Sequence, residues 1–266
     1  MATFLGVADF EGGPILASSS VTTGAEGTYL GVVTFTNVDR TKVEALLPSA
    51  YRLAARKTSH ESDVHPVMLL FGDQTDGHYL LPDPAPPVPT GIHYSELIFL
   101  VPFVQRKGLP GWHNYVVRMY LDQDEAVVAG IPYGYQKRKA WIEWRGDEAR
   151  VYDPKMGPLW RGTLTWGTPW RDYADATASL PRFPDLVAIM RTRILGHHFV
   201  GLCSHWEWDF SDARIAQATT SYDMVSPFRL DMKDWPALSP FDGVADGAFV
   251  LRGVRWRLAH PPAGLC

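Results

Sequence analysis

Three consecutive cations, Lys137-Arg138-Lys139, stand between an apolar run, Glu125-Ala126-Val127-Val128-Ala129, and an aromatic segment, Ala140-Trp141-Ile142-Glu143-Trp144. Both flanks read as strands punctuated by Gly130, Pro132 and Gly134, and strands bounded in this way are normally buried on at least one face. Side chains alternate across a strand, so Lys137 and Lys139 share one face and Arg138 takes the other. At least one cation is then aimed at the interior, where an ammonium is costly unless it is paired or neutral. A lysine that loses its proton in an apolar site becomes a nucleophile for carbonyl compounds. The commoner explanation of such a cluster is a solvated sheet edge, where lysines discourage stray pairing.

The rest of the chain constrains the fold in the same direction. Alternating or β-branched segments at 29–35, 67–71, 94–103, 112–121, 126–144, 149–152, 159–166, 199–210, 213–221 and 247–258 predict strands, with Arg145-Gly146-Asp147-Glu148 as a hairpin turn. Val67–Phe71 is expected to be buried on both faces. One amphipathic helix is predicted over 185–195 from apolar residues at 186, 189, 190 and 194, started by Pro184 and Asp185 and ended at Gly196. A short helix capped by Asn37 runs to Leu47 and stops at Pro48. Leu81 to Gly91 carries five prolines and predicts no regular structure, either an exposed polyproline-like loop or a lid. Residues 1–27, rich in Gly, Ser and Thr, read as a loosely ordered lead-in to a domain over 28–266. With no repeat and no linker, the expectation is one mainly antiparallel β domain, barrel-like, with a few short helices.

Composition removes several function classes. A net charge of −4 over 266 residues argues against a nucleic-acid surface, which wants a basic face. No apolar stretch reaches the roughly 20 residues of a membrane span. The start, Met1-Ala2-Thr3-Phe4, lacks the pattern of a signal peptide, and Cys203 and Cys266 are too few for a disulfide framework. A cytoplasmic protein is expected. No His-Glu-x-x-His or paired-Cys spacing exists. His197 and His198 are adjacent and would face opposite ways in a strand. His205, Glu207 and Asp209 share a face opposite Trp206 and Trp208, which a solvent-facing strand over a tryptophan core explains better than a metal. No metal and no cofactor are expected. Gly12-Gly13 makes no phosphate loop, and no Gly-x-Ser-x-Gly elbow is present.

Gly134-Tyr135-Gln136-Lys137-Arg138 resembles the Gly-aromatic-Pro-Lys-Lys signature of the acetoacetate decarboxylase family. Met119-Tyr120-Leu121-Asp122 with 126–130 resembles the lead-in to that family's lysine, Tyr94-Ser95-Glu96 stands where the family carries a glutamate, and Val43 to Pro48 resembles its short N-terminal helix. The resemblance covers roughly residues 29 to 145. It implies a Schiff-base lysine at Lys137, with Glu96 as proton shuttle and Met119, Tyr135, Gln136 and Arg138 around the substrate. It departs from the family at Gln136, where a proline is usual, and at Gly27 and Met68. Those two stand in place of an arginine and a second glutamate that handle the substrate carboxylate. The implied function is a lyase acting on a keto acid or ketone in an apolar pocket, by decarboxylation or by aldol condensation and dehydration. A tailoring role in secondary metabolism fits a divergent member, and a homo-oligomer is expected. The rival is a non-catalytic β-barrel that binds an apolar small molecule, with Lys137 exposed or salt-bridged.

Overall fold

The structure, a computed structural model, describes residues 5–16, 23–57, 63–82, 84–108, 110–155, 157–165, 169–195, 203–204, 206–224 and 247–259. The predicted helix end at Gly196, the residues His197, His198, His205 and Trp166, and the terminal Cys266 lie outside them. The strands run in chain order as β1 Gly24–Asp39, β2 Tyr51–Leu53, β3 Val64–Leu80, β4 Val88–Pro89, β5 Tyr94–Arg106, β6 His113–Leu121, β7 Lys137–Lys139 and β8 Trp141–Arg145. They continue as β9 Glu148–Asp153, β10 Gly157–Thr165, β11 Ile194–Leu195, β12 Cys203–Ser204, β13 Trp206–Asp209, β14 Arg214–Gln217, β15 Thr219–Met224 and β16 Ala248–Ala259. Four short helices join them: α1 Arg40–Glu44, α2 Asp124–Ala129, α3 Tyr173–Ser179 and α4 Phe183–Met190.

A large sheet follows the order β12-β11-β6-β5-β3-β1-β16-β13, and a second sheet of four strands follows β15-β10-β9-β8. The mainly β expectation holds. The large sheet is an open path among the described residues rather than a closed barrel, and two of its pairings, β6 with β7 and β6 with β11, are parallel.

Its central strands are covered on both faces. On β3, Met68 and Leu70 belong to a core shared with Trp206, Trp208 and helix α4. The alternate residues Val67, Leu69 and Phe71 pack toward Val151, Leu159 and Trp160 of the second sheet. That two-sided burial is why the strand reads as a continuous apolar run instead of an alternating one. Phe71 stacks on Trp160 with centroids 4.9 Å apart.

Several elements differ from the sequence reading for local reasons. The apolar run at 125–129 is helix α2, not a strand. A parallel β6–β7 pair cannot be joined by a tight hairpin, and the chain uses a helix and a 3-10 turn, Ile131–Tyr133, to cross over. The cap of α1 is Asp39 rather than Asn37; its carboxylate accepts from the Thr41 and Lys42 amides. The helix predicted over 185–195 ends at Met190, because Ile194 and Leu195 leave it to pair with Asn114 and Tyr115. Helix α3 was not predicted; Asp172 caps it by accepting from the Asp175 amide at 2.8 Å. Val88–Pro89 pairs with Tyr79 and His78, so the proline-rich segment does hold a two-residue edge strand, a position where a missing donor costs little. Near the start of the chain, Leu5 and Phe10 are buried, Phe10 stacking on Phe103 at 4.0 Å.

Candidate active site

Lys137 enters the large sheet through register. Strand β7 pairs parallel to β6 with Met119 opposite Lys137, Tyr120 opposite Arg138 and Leu121 opposite Lys139. Met119 and Leu121 belong to the core shared with helix α4, and Tyr120 to the other core. Lys137 thus shares the inward side with Met119 while Arg138 is exposed on the opposite side. Lys139 reaches the surface, where it pairs with Asp124 at 3.4 Å.

The Lys137 stem lies against Gly130. A Cβ there would sit 2.2 Å from Cδ and Cε of the lysine, so the glycine makes the room the side chain occupies. Gly134, at φ 73°, ends the 3-10 turn in the left-handed region and turns the chain into β7. At its tip, Lys137 Nζ donates to the Ala126 carbonyl at 3.1 Å, and no ion pair to a carboxylate is seen for it among the described residues.

Glu96 sits on β5, opposite Gly72 of β3 and Leu121 of β6. It is fully buried. Gln74 Nε2 donates to Glu96 Oε1 at 2.6 Å, and Oε2 has no hydrogen-bond partner. Burial pushes the Glu96 carboxyl up from 4.5 to about 7; the Gln74 hydrogen bond and the Lys137 charge oppose that rise, and Asp73 adds to it. Lys137 is brought down from 10.5 to about 8, again chiefly by burial, with Glu96 opposing. The lysine is partly accessible, as a group that must meet a ligand has to be. The two groups are close enough to feel each other's charge, and their titrations belong to the pair.

Lys137 opens into a cavity of about 110 Å³. Its walls include Gln74, Thr90, Ile92, Tyr94, Tyr133 and Trp256. Thr90 is held by its amide and hydroxyl, which both donate to the Gly77 carbonyl, so the end of the proline-rich segment forms one wall. Tyr94 is shifted well up by burial and then by Glu96, and Tyr133 is pushed up to about 12, chiefly by burial.

The other site candidates lie behind this wall. Met119 and Tyr135 are buried in the core, Tyr135 stacked on Tyr133 at 6.1 Å. Gln136 accepts from the Met119 amide through its carbonyl. Met119, Tyr135, Gln136 and Arg138 are all absent from the cavity lining, which instead contains Gln74, Tyr94, Tyr133 and Trp256. Of these, Gln74 carried a signal, a polar side chain just beyond an apolar strand; Trp256 lies far along the chain and carried none. Gly27 lies under the Trp256 ring, and Met68 is buried in the core. No group of three metal-ligating side chains occurs among the described residues, and no described helix is long and apolar enough to cross a membrane.

No family profile and no curated protein sequence matches this chain. Solved structures do. The enduracididine biosynthesis enzyme MppR, complexed with pyruvate, matches with a TM-score of 0.56 at 10% identity over 91% of each chain. The same enzyme complexed with the condensation product of pyruvate and imidazole 4-carboxaldehyde gives 0.55 at 10% identity, over 89% of this chain and 87% of that one. An acetoacetate decarboxylase-like enzyme from Sphingomonas wittichii RW1 gives 0.53 at 15% identity, over 89% of this chain and 91% of that one. The chain therefore has the acetoacetate decarboxylase-like fold expected from its motifs, at a sequence distance where only the fold is carried over.

Proposed function

We propose that this protein is a lyase that forms a Schiff base between Lys137 and a keto acid or ketone, with Glu96 moving the protons. The observation that carries the reading is a lysine brought down to about 8 in a cavity beside a carboxyl pushed up to about 7. Lowering a lysine from 10.5 to about 8 raises its neutral fraction near pH 7 by about 300-fold. The neutral Nζ attacks the carbonyl carbon, the π pair moves to oxygen, and Glu96 in its acid form protonates that oxygen. The Glu96 carboxylate then takes a proton from the attached nitrogen and returns it to the hydroxyl, so that water leaves the carbinolamine and an iminium forms, which accepts the electron pair of a breaking α C–H or C–CO₂ bond. Decarboxylation and aldol condensation with dehydration both follow from that intermediate. The fold shared with MppR, solved with pyruvate and with a pyruvate condensation product, supports the second.

The rival, a non-catalytic barrel, calls for an exposed or salt-bridged Lys137. In the structure Lys139 takes the salt bridge and Lys137 faces the cavity. Borohydride trapping with pyruvate, acetoacetate and larger ketones, read by peptide mass spectrometry, tests the proposal. A reduced adduct on Lys137 is expected. An adduct on Lys139 would move the nucleophile, and no adduct from any carbonyl would refute Schiff-base chemistry.

A further inference from the structure

Two cavities meet at one tryptophan. The small cavity at Lys137 and an outer cavity of about 780 Å³ share Glu26, His78 and Trp256 in their walls. The inner space holds several water-sized groups and no more. The outer one is of the size that takes a whole small-molecule ligand. Trp256 stands on β16 opposite Gly27 of β1. Its ring covers Gly27 so closely that a Cβ there would lie 2.8 Å from Cζ2. The residue is 7% exposed, and its indole Nε1 has no hydrogen-bond partner. Buried indole N–H groups normally find an acceptor; those of Trp112, Trp160 and Trp206 also lack one, and Trp256 differs in standing in the wall that both cavities share.

The charges of the inner cavity point the same way. Lys137 is the one Lys or Arg side chain in its described walls, and it must be neutral to attack. Its carboxylate, Glu26, already accepts from Arg257 Nε at 3.0 Å. Gln74, Thr90, Tyr94 and Tyr133 are uncharged near neutral pH, and His78 is turned to the Asp76 carbonyl, 2.7 Å from its Nδ1. A substrate carboxylate there would be desolvated without a cation and would face Glu96. In the outer cavity Arg255 pairs with Asp209 at 2.7 Å and Arg257 with Glu26, while Arg191 lies over the Tyr173 and Phe210 rings without an ion pair among the described residues. The four carboxylates of that wall, Glu26, Asp76, Glu207 and Asp209, outnumber its three arginines. With carboxylates outnumbering arginines, the walls around the Trp208 and Trp256 rings suit a neutral, planar, polar group better than an anion.

We propose that the substrate is an uncharged, elongated ketone or aldehyde. Its carbonyl reaches Lys137, its tail passes Trp256 into the outer cavity, and an acceptor on that tail takes the Trp256 N–H. This rests on the Schiff-base reading above and narrows its substrate class. Trp256 then sets specificity without taking part in the chemistry.

The test is borohydride trapping at matched concentrations of pyruvate, butanone and a hydroxyphenyl-substituted butanone, quantified at Lys137 in the wild type and in Trp256→Phe. That variant keeps an aromatic ring and removes the N–H; circular dichroism checks that it folds. The aryl ketone is expected to label Lys137 at least about tenfold more than pyruvate. Trp256→Phe should lower the ratio of aryl-ketone to butanone labelling about three- to tenfold. Pyruvate labelling as well as the aryl ketone overturns the neutral-substrate assignment while the Schiff-base reading stands. An unchanged ratio in Trp256→Phe overturns the role of the indole. Absence of labelling by all three overturns the Schiff-base reading itself.

Discussion

Replacing Glu96 by Gln should stabilise the protein at alkaline pH and not at acid pH. The folded carboxyl holds its proton more tightly than the unfolded one, about 7 against 4.5. Its contribution to stability is therefore complete below 4.5 and is lost as the pH rises through about 7. Each unit of separation is about 1.4 kcal/mol, so the whole loss is about 3.4 kcal/mol, and about 2.5 kcal/mol of it falls between about pH 5 and pH 8. Glutamine has the same shape, keeps an oxygen for the Gln74 amide, and has no proton to lose. The value of about 7 already contains the attraction of Lys137 for the ionised carboxylate, so the expected gain stays at about 2.5 kcal/mol. Urea unfolding of both proteins at the two pH values gives the number as a double difference, in which any constant cost of the amide cancels. Glu96→Gln should gain about 2.5 kcal/mol on the wild type between acid and alkaline conditions while losing trapping activity. A difference that is the same at both pH values would refute the argument that burial sets the Glu96 pKa.

Three further outcomes are expected. The pH profile of kcat/KM should be a narrow bell with limbs near about 7 and about 8, since the acid form of Glu96 is lost above the first and neutral Lys137 below the second; a plateau from pH 6 to 9 would contradict the pairing of these groups. Gly130→Ala should fold normally, because φ −87° and ψ −12° suit alanine, yet cut trapping at least about tenfold by displacing the Lys137 stem; unchanged trapping would show that the lysine needs no such groove. Asp39→Ala should lower unfolding free energy by about 1 kcal/mol, measured by urea denaturation, through loss of the α1 cap, with trapping unaffected.

Some of the site was legible along the chain. Alternation alone put Lys137 and Lys139 on one face and Arg138 on the other, and β7 keeps that arrangement. The motif order singled out Lys137 and Glu96, which the structure brings into electrostatic contact. The pattern could not tell Lys137 from Lys139. Their fates differ only because Asp124, at the start of α2, reaches Lys139, and Gly130 clears a groove for Lys137. The helix α2 itself was hidden: six residues of Ala, Val, Asp and Glu are too short to show a 3.6-residue period against a 2-residue one. Tyr135, Gln136 and Arg138 are near neighbours of Lys137 in the chain, and sequence neighbours of a strand residue point away from it or pack behind it; Met119, opposite Lys137 on β6, is buried in the core.

What the sequence determined by itself was the strand-rich architecture, the hairpin at Gly146 and the inward face of Lys137, because these follow from periods of two residues and from local turn chemistry. What only the tertiary structure decided was the cavity. Gln74, Tyr94, Tyr133 and Trp256 come from β3, β5, the turn before β7 and β16, and long-range strand pairing alone brings them to one side of the sheet. The pKa values of Lys137 and Glu96 were undecided for the same reason. They are set chiefly by burial, a property of everything packed around a side chain and of nothing adjacent to it in the chain.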